Sequence, residues 1–209
     1  MCPYSNRALW TAIETNVPFQ VIDVTFQHLP PSYGQKFNRY ETVPFLLDNG
    51  FAVYESSLIV HYLDTKFNGG KLQHAPNAQA ASIAQLVAAK FEVGVFYKYL
   101  KSANDKDKAE VVAQLTDIET IYREHAKAFR GEGPYLLGAE LSSAEIILGP
   151  FLFRLDILYR HYRKFDVFAN FPLLKTVLEA IKARPAFQQT VLGPERYVDE
   201  YADRVTVSP

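Results

Sequence analysis

The spacing of apolar residues divides the chain into a mixed first third and a helical remainder. Apolar side chains recur three and four positions apart over residues 3–15, a spacing that predicts an amphipathic helix. Residues 19–24, 43–47 and 51–54 are rich in β-branched and aromatic residues and predict strands. The last two runs flank an Asn-Gly pair at positions 49–50, which is a strong hairpin signal.

From residue 78 onward the pattern is helical and carries no further hairpin signal. Glycines and a proline precede this change, so we place a linker at residues 69–76. The pattern therefore predicts an α/β unit over residues 1–68 and an all-helical domain over residues 77–209. After the first helix, further helices are predicted near residues 33–38, 55–67, 78–102, 106–130, 143–162 and 172–183.

Composition narrows the classes of function. With 22 basic and 23 acidic residues among 209, the chain is nearly neutral, which gives no electrostatic reason to expect a nucleic-acid partner. Its apolar runs, such as residues 146–152, are far shorter than a membrane span, and no signal-peptide pattern opens the sequence, so we expect no stable membrane insertion. The single cysteine cannot form an intramolecular disulfide, which fits a reducing, cytoplasmic location.

That cysteine, Cys2, stands where the first helix is predicted to begin. Pro3 suits the first helical position, because its missing N–H would be unpaired there in any case. Unpaired N–H groups and the positive end of the helix dipole favour a thiolate, the nucleophilic form of cysteine. Cys2 is therefore a candidate nucleophile, although the Cys-Pro pair alone fits a small apolar residue near a chain end equally well.

Four motifs, in their order and spacing, resemble those of the soluble glutathione transferases. A cysteine in place of a catalytic tyrosine or serine is similar to the omega and lambda classes and to the dehydroascorbate reductases. The resemblance covers nearly the whole chain and implies a thioredoxin-like N-terminal domain followed by an all-α C-terminal domain. The motifs are Cys2-Pro3-Tyr4-Ser5-Asn6-Arg7, Val43-Pro44-Phe45-Leu46, Tyr54-Glu55-Ser56-Ser57-Leu58-Ile59 and Leu141-Ser142-Ser143-Ala144-Glu145-Ile146.

The resemblance implies that Cys2 is catalytic and that glutathione is a substrate. It implies a cis Val43–Pro44 bond whose backbone pairs with the extended peptide, whereas the residue pattern alone favours a trans proline at an edge strand. It places the γ-glutamyl carboxylate at Ser56 and the ammonium group at Glu55, whereas spacing alone favours a simple helix cap. The expected glutathione-binding residues are Pro3, Tyr4, Thr42, Val43, Pro44, Glu55 and Ser56.

Three other patterns have structural interpretations. Ser142 and Glu145 have the spacing of a capping box, with Leu141 and Ile146 as its hydrophobic staple. An aromatic stripe over residues 91–99 favours core or dimer contacts over a substrate pocket. The histidines show no metal-ligand spacing, so we expect no metal; they stand at positions 28, 61, 74, 125 and 161.

Two features of the sequence depart from the family pattern. The family places a strand before the cysteine, in the centre of the sheet, whereas only Met1 precedes Cys2 here. Either the sequence is truncated or another segment fills the gap, because ladder groups left unpaired are costly. The strand-like residues 204–208 are the first candidate, and their exchange between molecules would give a homodimer. Thr42 stands where omega-like members often have a lysine, so that positive charge is missing.

Together these features predict a glutathione-dependent thiol transferase or dehydroascorbate reductase that acts through a mixed disulfide on Cys2. Its partners would be glutathione and a small disulfide, mixed-disulfide or dehydroascorbate substrate. Two alternatives stay open. One is a non-catalytic binding or scaffold protein of the same fold. The other is a relative of the chloride intracellular channel proteins, which match Glu55 and Ser56 less well than the enzymes do.

Overall fold

The fold, a computed structural model, is described for residues 2–24, 32–75 and 77–205. A small α/β part comes first and a larger helical part follows, which confirms the predicted fold class. The first part consists of α1 (Pro3–Glu14), α2 (Tyr33–Lys36), β1 (Leu46–Asp48), β2 (Phe51–Val53) and α3 (Ser56–Asn68). The second part consists of α4 (Ala78–Lys90), α5 (Val93–Ser102), α6 (Asp105–Thr120), a π-helical turn (Ile121–His125), α7 (Lys127–Arg130), α8 (Ser143–Arg163), α9 (Pro172–Lys182), α10 (Pro185–Gln188), α11 (Pro194–Tyr201) and a 3₁₀ turn (Ala202–Arg204).

The β-hairpin is confirmed. Strands β1 and β2 pair in antiparallel register, with Leu46 opposite Val53. Asn49 and Gly50 both have positive φ angles, 48° and 86°. A two-residue hairpin turn that follows the twist of its strands requires this backbone conformation, and Asn-Gly adopts it at little cost.

The strand predicted at residues 19–24 is wrong. This segment is irregular, and its apolar side chains are exposed, with Ile22 at 79%. A strand is stabilised by ladder hydrogen bonds to a neighbour, and the sheet in the described part of the chain contains β1 and β2 alone. The segment therefore has the composition of a strand, but the described part of the chain supplies no neighbouring strand to pair with it.

The tail does not supply the missing strand as far as the structure describes it. Arg204 closes the 3₁₀ turn and Val205 is buried against the helical core. Residues 206–208 of the candidate segment lie outside the described residues, and strand exchange stays a prediction. The predicted linker runs as turns over residues 69–75, and the exact domain limits also stay a prediction.

The single helix predicted over residues 78–102 is two helices. The chain leaves the helical conformation at Phe91 and Glu92, which end α4 and begin α5. The buried Phe91 ring packs edge-on against Phe151 of α8, with 5.6 Å between ring centroids. Gln114 of α6 accepts a hydrogen bond from the Glu92 N–H, one of the backbone groups that the break leaves without a helical partner.

The same stretch has a composition found in membrane spans. Among the described residues, Ala78–Ser102 is the one stretch that is long and apolar enough, by length and composition, to cross a membrane. The break divides it into helices of 13 and 10 residues, and a spanning helix needs ~20 consecutive residues. Core helices of globular proteins have the same composition.

Helix α8 is the centre of the helical part, and its start is the predicted capping box. Ser142 Oγ accepts a hydrogen bond from the Ala144 N–H at 3.2 Å, and the Ser142 N–H donates to Glu145 at 2.9 Å. Leu141 and Ile146, the predicted staple, are both buried in the main core. The structural interpretation of this motif is therefore confirmed.

Helix α1 lies directly on α8. Trp10 is fully buried there, and its ring meets Phe187 edge-on at 4.8 Å. Gly149 of α8 makes this approach possible, because a Cβ atom at that position would lie 2.9 Å from the Trp10 ring and 3.1 Å from Ile181. The element that begins with the cysteine is thus held against the helical core.

We expect Gly149→Ala to lower the free energy of unfolding. The added methyl group overpacks the α1–α8 contact, at a cost of about 1–3 kcal/mol, of which the better helix propensity of alanine returns about 1 kcal/mol. Gly94→Ala in α5 is the control, because a Cβ there meets nothing within 4 Å and should stabilise the helix. Urea unfolding of both variants measures this, and equal midpoints would contradict the packing argument.

Candidate active site

Cys2 is the N-cap residue of α1. Its backbone is extended, Pro3 occupies the first helical position as predicted, and the Cys2 carbonyl accepts the hydrogen bond of the Asn6 N–H at 3.0 Å. The side chain is half-buried and forms no disulfide. The thiol therefore lies at the positive end of a helix, where a reactant can reach it.

The loop before β1 brings a backbone carbonyl to the cysteine. Cys2 Sγ lies 4.0 Å from the carbonyl oxygen of Val43, and the bond between Val43 and Pro44 is cis. The trans alternative is therefore wrong. The carbonyl of the exposed Thr42 accepts a hydrogen bond from Asn38 Nδ2 at 2.7 Å. Because Asn38 is fully buried, it holds this loop in place.

The start of α3 supplies the third part of the site. Glu55 is the exposed N-cap residue, with a φ angle of 61° and no side-chain cap hydrogen bond. A positive φ outside a turn or a helix end costs a non-glycine residue about 1–3 kcal/mol, and such strained residues cluster at active and ligand-binding sites. Ser56 is buried, and its Oγ accepts a hydrogen bond from Arg7 Nη1 at 3.2 Å. Glu55 therefore stands at the cap position of α3 without a side-chain capping bond, and the role of the two residues in binding a ligand stays a prediction.

Arg7 links the starts of α1 and α3. Its side chain is 6% exposed, and its guanidinium lies 5.1 Å from the centre of the Tyr4 ring and 4.7 Å from that of Phe151. Its Nε donates to a carbonyl of α8 at 2.9 Å. Burial lowers the pKa of Arg7 to about 10, and electrostatic attraction to Tyr4 and Cys2 opposes that change. Arg7 is therefore a buried cation that joins α1, the helix that Cys2 begins, to Ser56 at the start of α3.

A cavity of about 320 Å³ lies between α5 and the end of α11. Within it the Tyr97 and Tyr201 rings stack at 6.0 Å, and their hydroxyl oxygens are 3.2 Å apart. Burial raises the pKa of Tyr97, and Tyr4 adds to this effect. Most of the aromatic stripe is core, as predicted, but Tyr97 lines the cavity. The lining residues are Tyr97, Leu100, Lys101, Tyr201 and Arg204.

The structure brings most of the predicted site residues together. Cys2 and Val43 are in contact, Tyr4 follows on the first turn of α1, and Ser56 is joined to that helix through Arg7. Pro3 is buried in the first turn and Pro44 half-buried, whereas Thr42 and Glu55 are exposed. Across residues 2–24, 32–75 and 77–205, no group of three His, Cys, Asp or Glu side chains is arranged to hold a metal ion.

Arg7 belongs to the first motif, but the motif alone assigns it no role. One signal was available. Within α1, Arg7 is the single basic residue, and it lies on the side of the helix that carries Trp10 and Thr11, both buried. A lone cation on an apolar face is buried at a cost, so it has a specific reason to be there.

Comparison with known proteins agrees with this geometry. The family model described as "Glutathione S-transferase, N-terminal domain" matches residues 1–71, and that described as "Glutathione S-transferase, C-terminal domain" matches residues 86–190. The Arabidopsis thaliana protein "Glutathione S-transferase DHAR2" is 26% identical over 208 residues, which are 98% of this chain and 90% of that protein.

Solved structures show the same fold. The Leishmania protein TDR1, described as a trimeric glutathione transferase, superposes with a TM-score of 0.85 at 27% identity; the match covers 97% of this chain and 46% of TDR1, so the chain spans about half of that protein. Chlamydomonas reinhardtii dehydroascorbate reductase superposes with a TM-score of 0.76 at 20% identity, over 98% of this chain and 91% of that protein. The chain belongs to the glutathione S-transferase family.

Proposed function

We propose that this protein is a glutathione-dependent thiol transferase that acts through a mixed disulfide on Cys2. The observation that carries the proposal is the position of the chain's only thiol: Cys2 is half-buried at a helix N-terminus, 4.0 Å from the Val43 carbonyl. Unpaired N–H groups and the helix dipole at a helix N-terminus favour the thiolate. The names of several relatives include glutathione transferase or dehydroascorbate reductase, which supports the same chemistry.

The proposed reaction with a glutathionylated substrate has two exchanges. The Cys2 thiolate attacks the glutathione sulfur of the mixed disulfide, an S–S bond forms between Cys2 and glutathione, and the substrate leaves as a thiolate. Because the chain has no second cysteine, a free glutathione thiolate must attack this intermediate. Oxidised glutathione then leaves, and Cys2 is regenerated as a thiolate.

Dehydroascorbate is the second proposed substrate. The Cys2 thiolate adds to one of its carbonyl carbons and forms a C–S bond. A glutathione thiolate then attacks the Cys2 sulfur, and the C–S bond breaks. Ascorbate leaves with the electron pair of that bond and takes up the protons that the thiols released. A second glutathione resolves the Cys2 mixed disulfide. Two glutathione molecules are oxidised to one disulfide as one dehydroascorbate is reduced, which balances two electrons.

We assign the binding of glutathione to the surroundings of Cys2. The backbone of Val43 pairs with the extended peptide, Ser56 donates to the γ-glutamyl carboxylate, and Glu55 faces the ammonium group. Pro3, Tyr4, Thr42 and Pro44 complete the proposed contacts. Thr42 brings no charge, so its contribution to affinity is a hydroxyl or backbone contact alone.

The direct test is an assay with glutathione, glutathione reductase and either glutathionylated peptide or dehydroascorbate. Glutathione-dependent turnover above the uncatalysed rate supports the proposal. If the folded protein turned over neither substrate, the proposal would be wrong and a non-catalytic scaffold protein would be favoured. Binding to anionic lipid vesicles without turnover would favour a relative of the chloride intracellular channel proteins.

We expect Ser56→Ala to weaken glutathione binding about 10- to 100-fold, because a hydrogen bond to a charged carboxylate is worth about 1.5–3 kcal/mol. Stability should fall as well, by about 1.5–3 kcal/mol, because the charged Arg7 loses a hydrogen-bond acceptor. Ser57→Ala is the matched control, since Ser57 is the exposed neighbour on the same turn. Titration of S-methylglutathione and thermal melts on the same samples decide: a lower melting point with unchanged affinity would remove Ser56 from the binding site.

A further inference from the structure

The cavity between α5 and the end of α11 contains none of the residues assigned to glutathione. Two tyrosines, a leucine and two basic side chains line it, and no acidic residue does so among those that the structure describes. Its volume of about 320 Å³ lies within the range of pockets that hold small organic molecules, roughly 300–1,000 Å³. The thiol-transfer reaction proposed above uses none of these side chains.

The inner part of the cavity is aromatic and apolar. The Tyr97 and Tyr201 rings are nearly parallel, with an interplanar angle of 4° and 6.0 Å between their centroids. Tyr201 is 7% exposed and Leu100 is 2% exposed, so the hydrophobic core holds this wall in place. Such a wall favours a flat ring, because aromatic rings pack on one another in addition to removing apolar area from water.

The two tyrosine hydroxyls leave one hydrogen for a ligand. Their oxygens are 3.2 Å apart, and either hydroxyl can donate to the other. Whichever one donates, the hydrogen of the second has no acceptor within residues 2–24, 32–75 and 77–205. Burial raises the pKa of Tyr97, so its hydroxyl stays protonated and can act as a donor. The cavity therefore presents a hydrogen-bond donor beside its aromatic wall.

The rim of the cavity carries two cations without an acidic partner. Lys101 and Arg204 are exposed, and neither belongs to an ion pair in the described part of the chain. Lys98, three positions before Lys101 on α5, shows the contrast, because it pairs with Asp107 at 2.8 Å. Arg204 lies over the Tyr201 ring, 5.4 Å from its centroid. Two unpaired cations on one rim attract an anion and repel a cation.

We propose that this cavity is a binding site for small aromatic carboxylates, molecules of one or two rings that carry an acid group. The rings pack against Tyr97, Tyr201 and Leu100, and the free tyrosine hydroxyl donates to a ligand oxygen. The carboxylate lies at the rim, where its planar shape suits the guanidinium of Arg204 and Lys101 adds a second charge. The two basic side chains thus select an acid over a neutral molecule of the same shape.

Two probes of nearly identical shape separate the effect of charge from that of shape. 4-Benzoylbenzoate carries the acid group, and 4-benzoylbenzamide carries a neutral amide in its place. We expect the wild type to bind the benzoate with a Kd on the order of 0.1–1 mM, as is usual for ligands of this size. The amide should bind about fivefold to 20-fold more weakly, since each exposed ion pair contributes a factor of about two to five. Isothermal titration calorimetry measures both. Equal affinities, or no binding of the benzoate at about 5 mM, would contradict the proposal.

Charge-removing variants assign the selectivity to the two rim residues. Lys101→Gln and Arg204→Gln should each weaken benzoate binding about twofold to fivefold and the double variant about fivefold to 20-fold, with amide binding changed less than about twofold. Both side chains are exposed, so the variants should fold. The matched control is Lys90→Gln. Lys90 is exposed in the last turn of α4, as Lys101 is in the last turn of α5, but it does not line the cavity. If Lys90→Gln weakened benzoate binding as much as Lys101→Gln, general surface charge would explain the selectivity and the proposal would be wrong.

Photochemical labelling locates the ligand independently of any variant. The irradiated benzophenone group of 4-benzoylbenzoate inserts into nearby C–H bonds, and peptide mass mapping identifies where the adduct lies. We expect labelled peptides from α5 and from residues 201–204, and we expect an excess of 2-naphthoate, an aromatic carboxylate without the ketone, to prevent the labelling. Labelling confined to other parts of the chain, or labelling that 2-naphthoate does not reduce, would overturn the proposal. Neither result bears on thiol transfer, because the experiment needs neither glutathione nor Cys2.

Discussion

Replacing Cys2 with serine is expected to lower glutathione-dependent thiol transfer at least about 100-fold while the fold survives. A serine hydroxyl at the N-cap preserves the start of α1, since serine is itself a favourable N-cap residue, but it does not form a nucleophilic anion at neutral pH. Cys2 is the only thiol in the chain, so no other group can take over the exchange. The measurement is the rate at which the wild type and the variant turn over a glutathionylated peptide. Equal melting temperatures show that both proteins are folded.

A trapping experiment gives the same prediction a second readout. Wild-type protein incubated with oxidised glutathione should gain the mass of one glutathionyl group, reversible by a reductant, and Cys2→Ser should gain none. A variant that kept more than about 5% of the wild-type rate would exclude covalent catalysis by Cys2.

The second large effect is on stability. Glu145 is fully buried, and its carboxylate accepts four hydrogen bonds: from Tyr122 Oη at 2.7 Å, the Leu136 N–H at 2.9 Å, the Ser142 N–H at 2.9 Å and Ser142 Oγ at 2.6 Å. Glu145→Ala removes every one of these bonds and leaves buried donors unpaired. We expect a loss of about 3–5 kcal/mol in the free energy of unfolding.

Two further variants show whether the hydrogen bonds are the cause. Glu145→Gln keeps the shape and one carbonyl oxygen but turns an amide N–H₂ towards donors, so its loss should be intermediate. Glu195→Ala removes an exposed carboxylate from the first turn of α11 and should cost less than about 1 kcal/mol. Urea unfolding compares the three. If Glu145→Ala cost no more than Glu195→Ala, the buried network would have no net stabilising role.

Local signals in the sequence were sufficient where a segment's neighbours along the chain determine its structure. The Asn-Gly turn, the proline at the start of α1 and the Ser142–Glu145 capping box each bring the groups that they need within four residues. Periodicity placed α3, α8 and α9 within two residues of their observed limits. The short helices α10 and α11 were not predicted, although each begins with proline at its first position.

Where the structure depends on contacts between residues distant in sequence, local patterns predicted the wrong structure or none. Residues 19–24 have the composition of a strand but no described partner for its ladder. The break at Phe91 is fixed by a ring of α8 and a side chain of α6. The contact of Arg7 with Ser56 joins residues 49 positions apart. No local pattern reports such contacts, which is why Arg7 was quoted without a role.

The position of Trp10 provides an optical signal for the site. It is the only tryptophan in the chain, its ring is fully buried between α1 and the helical part, and its indole N–H donates to Glu14 at 3.1 Å. Fluorescence emission excited at the indole band therefore comes from this one contact. A shift of the emission to longer wavelength would report water reaching the α1–α8 interface. Because α1 begins with the reacting sulfur, each catalytic intermediate can be examined for such loosening without an added dye.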